Sequence, residues 1–597
     1  MPGSIAAIGD RLRKSGGIAT AVRLGACLVI VAVLAGPMLA VVYGAFRSEP
    51  PGIPGEWTLD SVRGMFDDPS AVKSLRNTAL IVVTVVPLAM AIALYFAWTA
   101  ARTNTPLRWL ITPAMALSLA VPPLFFALSW RLVGNESSGL LAEISGALPL
   151  VPELSFDAES MLGLILVSAV KLAPFLYFII IGPVMAMDST QEEASRLSNA
   201  GPFVTFVRVT LPALAPALLG ASLLAVVICL EFFEIPLLLG TAPRIRVIST
   251  EIYDQINNSM PPDYSGGFAL ALLPIVAVIG IVVLQRRVIG NRSFQTVGGK
   301  GSRATVVDLR RGRVPNLVVM LVALLVLAVL PIAQLVVGSL QPIFGLDQGH
   351  YGLQSYRAVL DQPQLREAVT NSLLLGTVGG GIAMVLALVL SMTSGRRNAT
   401  RVDRLVGSAS WLPWAAPGII LSIGIYSVFL VVPGLARFYG SIWIMLAGLI
   451  ISVMPVAARA AEGGVAQLSW ELQDAARTSG AGPLRVFTDV VVRLLLPTFL
   501  AGWLISAVVV AGNLSVVIML GTPSSTPTVP VMAYRLMTAG NMSQAAALFL
   551  VFMACIAAVS LVLAVAQRLA RAAVTGRAPR VADTPVPGAA AAEPIAS

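Results

Sequence analysis

The chain has 597 residues, of which 57% are apolar and 12% charged, with 40 Lys and Arg against 30 Asp and Glu. An ordinary soluble domain carries about 45–50% apolar and about 25% charged residues, so a soluble enzyme of this size is excluded, as are a disordered chain and a fibrous repeat. The apolar residues fall in runs of about 20, the length of a membrane-spanning helix, and the expected fold is an all-α polytopic membrane protein.

Residues 1–23 form a basic N-terminal segment with Arg11, Arg13 and Lys14. The run that follows, Leu24 to Phe46, is too long for the core of a signal peptide and is read as the first spanning helix. Five more runs complete a first half, residues 24–288, at roughly 77–100, 109–130, 161–187, 211–240 and 268–288. A basic linker, 289–314, leads to a second half, 315–567, with runs at 315–340, 370–393, 405–431, 441–463, 497–521 and 544–567. Residues 568–597, rich in Ala and Pro, read as a disordered tail. About twelve transmembrane helices are thus expected.

Basic residues crowd alternate short loops, at Arg102 and Arg108, Arg286 and Arg287, Arg396 and Arg397, and Arg568 and Arg571. This is the positive-inside pattern, which places both termini and the linker in the cytoplasm. The net charge of +10 then reports membrane topology, and no nucleic-acid partner is expected. Cys27, Cys229 and Cys555 lie in apolar runs, where a thiol behaves as a small hydrophobe. The single histidine, His350, cannot alone support a metal site or a Ser/His/Asp system, so no catalytic or metal residue is assigned.

The halves repeat each other. At an offset of 294, Leu59, Ser61, Arg63, Asp67 and Pro69 meet Leu353, Ser355, Arg357, Asp361 and Pro363, and Asn77-Thr78 meets Asn371-Ser372. Further on the offset falls to 281, where Glu193-Ala194 meets Asp474-Ala475, Gly201-Pro202 meets Gly482-Pro483, and Leu239-Gly240 meets Leu520-Gly521. Six spans per copy keep both copies in one orientation, which gives two parallel six-helix repeats about an axis along the membrane normal.

After the fourth span of each half lies an Ala-rich segment, about 188–210 and about 468–496. The first holds Glu192, Glu193, Ala194, Asn199 and Gly201; the second holds Asp474, Ala475, Ala476, Gly480 and Gly482. Acidic residues favour a helix N-terminus, small residues allow close approach, and Gly-Pro ends the helix sharply. A short stiff helix lying across the membrane face is expected in each half.

This spacing resembles the Glu-Ala-Ala loop of binding-protein-dependent ABC importer permeases. In that family the loop docks into an ATPase subunit, so the resemblance assigns those ten residues to energy coupling. It departs from the family pattern at Ser195, Asn199 and Asp474, and at Val492-Arg493 in place of Leu-Pro. The resemblance further implies two copies of an ABC ATPase, an extracytoplasmic solute-binding protein and a bacterial inner (plasma) membrane location. No G-x-x-x-x-G-K-[ST] loop is present, since Gly298-Gly299-Lys300-Gly301 lacks the hydroxyl residue after Lys. The chain is therefore expected to bind no cofactor, with ATP used by the partner.

Glu231 and Glu234 sit in the fifth run, three residues apart and expected on one helical face. Carboxylates in a membrane face a cavity or a partner. They are read either as contacts on the substrate pathway or as groups paired with a basic residue such as Lys171. Their counterparts at the 281 offset are Gly512 and Ser515, so a carboxylate site would be one-sided. A fused twelve-span chain with Glu-Phe at this place most resembles the ferric iron subgroup of these importers; phosphonate, thiosulfate, polyamine and sugar importers are related. Arg244 and Arg246, after the fifth run, are placed where a binding protein docks. A rival class, an ion-gradient-driven transporter of two six-span halves, accounts for the carboxylates but not for the twin loops.

Overall fold

The computed structural model describes residues 29–135, 139–141, 156–187, 190–289, 306–344, 351–394, 407, 409–410, 412–415, 418–466, 468, 476, 478–480, 482, 485–521 and 526–575. Among these, nine helices are long and apolar enough to cross a membrane: Pro69–Arg102, Met161–Ala186, Phe206–Leu230, Tyr264–Ile281, Arg310–Leu340, Pro363–Ser394, Ile442–Val465, Val490–Ala511 and Met542–Val562. A tenth crossing is a bent pair, Arg108–Ala120 and Pro123–Val133. Two shorter apolar helices, Val29–Ala45 and Gly418–Val431, stand where the first and ninth spans are expected. Each of the twelve expected runs is met by a helix. The protein is all-α and polytopic.

By compactness the chain divides after Leu550, and the unit from Val551 includes the far part of the last helix.

Two expected spans are broken. The third turns by 102° between Ala120 and Pro123. Pro122 and Pro123 bring no N–H, so the carbonyls of the preceding turn lose their helical donors. The Lys171 ammonium of the fourth span supplies the donors instead, to the carbonyls of Ser118 at 2.9 Å and of Val121. Lys171 is thus committed to a helix end, where a cation is favoured, and no ion pair joins it to Glu231 or Glu234 among the described residues.

The fifth span also stops short. Its helix ends at Leu230, Glu231 caps it, and a new six-residue helix runs from Glu234 to Leu239. The expectation that the two carboxylates share one helical face is therefore incorrect. The reason is Pro236, whose ring would clash with the carbonyl of Phe232 one turn earlier in a continuous helix. In the second half the break falls at Gly512, and the Asn513 side chain caps the next helix by accepting from Val516 N–H at 2.9 Å.

Short amphipathic helices between spans, Asp60–Asp67 with Gln354–Asp361 and Ile248–Asn257 with Val529–Thr538, complete the repeat. Its two copies share side-chain chemistry. Asn77 donates its amide to the Arg246 carbonyl at 2.9 Å, and Asn371 does the same to the Pro527 carbonyl at 2.9 Å. Likewise Thr78 accepts from Ile248 N–H at 2.9 Å and Ser372 from Val529 N–H at 2.8 Å.

The halves are interleaved. The first span meets the second half where Pro37 lies against Gly424, so closely that a Cβ there would fall 2.1 Å from the Pro37 oxygen. The seventh span meets the first half, where Ser118 donates to the Leu327 carbonyl at 3.3 Å. At the centre Pro122 packs on Gly512, where an added Cβ would lie 2.6 Å from the ring.

Candidate functional site

On one face of the bundle the helix Thr190–Leu197 opens with Glu192 and Glu193 in its first turn. The two acids part there. Glu192 is 2% exposed, accepts the Thr210 hydroxyl at 2.8 Å and lies 3.7 Å from the guanidinium of Arg102. Arg102 is wholly buried at the end of the second span and also donates to the Met187 carbonyl at 3.1 Å. Burying both charges is tolerable only because they face each other with hydrogen bonds in place. Glu193 is exposed, as are Ala194, Asn199 and Gly201. Of the acids in this turn, Glu193 faces outward and Glu192 ties the helix to the second span.

The chain reverses after this helix at Asn199, with φ +60°. In the second half Gly480, at the matching place, has φ +83°. An L residue disfavours this left-handed conformation; Gly adopts it freely and Asn is among the few others that tolerate it. The Asn-for-Gly departure at 199 thus preserves the turn. Gly480 and Gly482 are exposed and Ala476 is half-buried, while Asp474 and Ala475 lie outside the described residues.

The same end of the second span receives the far end of the linker. Val307 N–H donates to the Arg102 carbonyl at 2.7 Å, and Asn104 donates to Asp308 at 2.6 Å.

In the middle of the bundle the Ser515 hydroxyl donates to Glu234 at 3.0 Å. Backbone N–H groups of Leu514 and Ser515 also point at this carboxylate. Glu234 therefore joins the two halves, half-buried beside their contact. Glu231 caps the preceding helix through its own N–H.

Toward the opposite face from the Glu193 helix, a cavity of about 550 Å³ is bounded by the start of the second span, the 240–246 turn and the helix Ile248–Asn257. Its charged lining consists of Lys73, Arg244, Arg246, Glu251 and Asp254, with the phenols of Tyr253 and Tyr534. Arg246 is paired twice, with Asp254 at 2.8 Å and with the buried Glu251 at 3.4 Å. Glu251 further accepts from Ser70 at 2.7 Å. Arg244 is exposed, at φ +56°. Both arginines that the sequence placed on an outer loop line this cavity.

Ser515, Arg102, Lys73, Tyr253 and Tyr534 were not singled out as site residues by sequence. The repeat offset held the signal for three of them, because Glu234 matches Ser515 and Tyr253 matches Tyr534.

The family model described as "Binding-protein-dependent transport system inner membrane component" matches the chain twice, at residues 81–290 and 379–576. The ferric transport system permease protein FbpB of Actinobacillus pleuropneumoniae is 27% identical over 60% of this chain and 52% of its own length. The putative ferric transport system permease protein FbpB 1 of Haemophilus influenzae is 26% identical over 68% of this chain and 63% of its own length. The probable ABC transporter permease protein y4fN of Sinorhizobium fredii is 25% identical over 66% of this chain and 70% of its own length. The chain is thus matched over little more than half to under two thirds of the length of the two ferric relatives.

Proposed function

The chain belongs to the binding-protein-dependent transport system inner membrane components, and from that premise we propose that it is the permease of an ATP-driven importer. Both membrane halves lie in one polypeptide. Two copies of a separate ABC ATPase dock at the segments around Glu193 and Asp474 on the cytoplasmic face, where both termini lie. An extracytoplasmic binding protein delivers solute at the opposite face, over the Arg244 turn. ATP-driven closure of the ATPases moves the two helices, and the halves then part or close along the contact that holds Glu234. The chain itself binds no ATP. Ferric iron is the proposed solute, supported by the names of two relatives. Carboxylate oxygens such as those of Glu234 suit a hard cation.

The observation that carries this reading is the twin turn: the first half's helix with exposed Glu193 is closed by left-handed Asn199, and at the matching place of the second half stands the exposed, left-handed Gly480. A transporter powered by an ion gradient has no use for two such partner-facing elements. The test is detergent co-purification of the tagged chain with its ATPase, wild type against Glu193→Arg plus Asp474→Arg. Loss of stoichiometric ATPase in the double variant supports coupling through these helices. Failure of the wild type to retain any ATPase, with solute uptake by the chain alone down an ion gradient, overturns it.

A further inference from the structure

The cavity of about 550 Å³ carries three cations and two carboxylates in its lining. The carboxylates are engaged by one cation: Arg246 pairs with both Glu251 and Asp254. Lys73 and Arg244 are exposed, and no carboxylate lies within 4 Å of either among the described residues. The free charge presented to the cavity is therefore positive.

The fold does not require this charge. The second half builds the same turn and helix on the same bonds, Asn371 to Pro527 and Ser372 to Val529. Yet at the positions of Lys73, Arg244, Arg246, Glu251 and Asp254 it carries Glu367, Ser525, Pro527, Met532 and Arg535. The second half thus carries opposite or neutral residues at every one of these places, so the frame stands without this pattern of charge, and a ligand accounts for its presence in the first half.

The donors suit an anion. Burial and the neighbouring Tyr534 and Asp254 push the Tyr253 phenol up to about 12, so near neutral pH it keeps its proton and donates. Tyr534 is pushed upward by burial too. A cavity in the range of about 300–1,000 Å³ takes a molecule of several to a dozen or more heavy atoms rather than a single bare ion.

We propose that this cavity binds a small polyanion of the carboxylate or phosphate class, held by Lys73 and Arg244 with the two phenols as hydrogen-bond donors. Resting on the importer reading, it also names the charge of what arrives at this face: it is anionic, and ferric iron reaches the cavity as a negatively charged oxyanion complex. A bare cation or a polyamine is repelled at the mouth, and a neutral sugar gains nothing from the two free cations.

The test titrates the full chain in lipid nanodiscs with citrate, inorganic phosphate, maltose and spermidine by calorimetry. It uses wild type and Lys73→Glu plus Arg244→Ser, the residues of the second half. Citrate or phosphate is expected to bind wild type, more weakly as salt rises, with affinity falling at least about tenfold in the variant as charge-assisted bonds are lost. Maltose and spermidine should not bind. Retention of the ATPase is followed in parallel and should be equal in both, which shows the variant folded. Absence of anion binding by wild type, or binding equal in both chains, overturns the proposal. ATPase retained in that case leaves the importer reading standing, whereas its loss removes both. If wild type binds no free anion but the variant alone fails to capture the binding protein, the two cations serve a protein carboxylate and the proposal is wrong.

Discussion

Ser515 donates its hydroxyl to Glu234 at 3.0 Å, and the 281 residues between them are the offset that lays the second half on the first. Each is the other's counterpart in the repeat. Two equivalent positions can meet only at the axis relating the halves, so this bond marks that axis. Tyr253 and Tyr534 are related by the same offset and lie close enough to influence each other electrostatically. Two levels of the same axis are thereby identified, one in the bundle centre and one at the cavity.

Replacing Glu234 by Ala leaves the Ser515 hydroxyl and the N–H groups of Leu514 and Ser515 without their acceptor, a loss of about 1–3 kcal/mol. Solute uptake in proteoliposomes should fall about tenfold or more while the ATPase remains bound. Glu234→Gln keeps an acceptor oxygen and should retain most of the uptake. Equal uptake by wild type and Glu234→Ala would remove Glu234 from the pathway.

Lys171→Met removes the donor to the broken third span and leaves buried carbonyls at Ser118 and Val121 unsatisfied. The expected cost is about 2–3 kcal/mol, read as a lower melting temperature in detergent. An unchanged melting curve would show that the bend holds itself.

Arg102 and Glu192 should behave as a coupled pair. Arg102→Met alone strands a buried carboxylate and should cost about 3–5 kcal/mol, whereas Arg102→Met with Glu192→Leu should recover a large part of that loss. A thermal double-mutant cycle measures it, and additive effects would contradict the pairing.

At Asn199, substitution by Gly should be neutral or stabilising, and substitution by Val should cost about 1–2 kcal/mol, because a β-branched side chain resists φ +60°. The readout is ATPase retention in detergent together with the melting temperature. Full retention by Asn199→Val would mean that the turn is not needed for docking.

The twelve apolar runs and their pairing into halves were legible in the sequence, because spans and repeats are written in composition and spacing. The sequence places the end of the first Ala-rich helix at Gly201-Pro202, whereas the helix stops at Leu197, the chain turns at Asn199, and Pro202 opens the next helix. The breaks were harder to read. Hydropathy is blind to a helix that stops and restarts within an apolar run, so the interruption at Glu231 passed for one helix although Pro236 marked it. The role of Lys171 was hidden for a related reason: its partners are backbone carbonyls, and those have no sequence signature. Glu192 and Glu193 are chemically alike, and only the packing of the helix against Arg102 distinguishes them. Asp474 and Ala475 are outside the described residues.

The Glu234–Ser515 contact also bears on why the halves share one chain. In an assembly of two identical halves, the residue facing Glu234 across the axis would be a second Glu234. Two carboxylates at hydrogen-bond distance cannot both ionise, and one of them would hold a proton. Joining two unlike copies removes that constraint: one side keeps the acid and the other offers a hydroxyl. A single carboxyl group can then sit on the axis without facing its own image, an arrangement no homodimer can adopt.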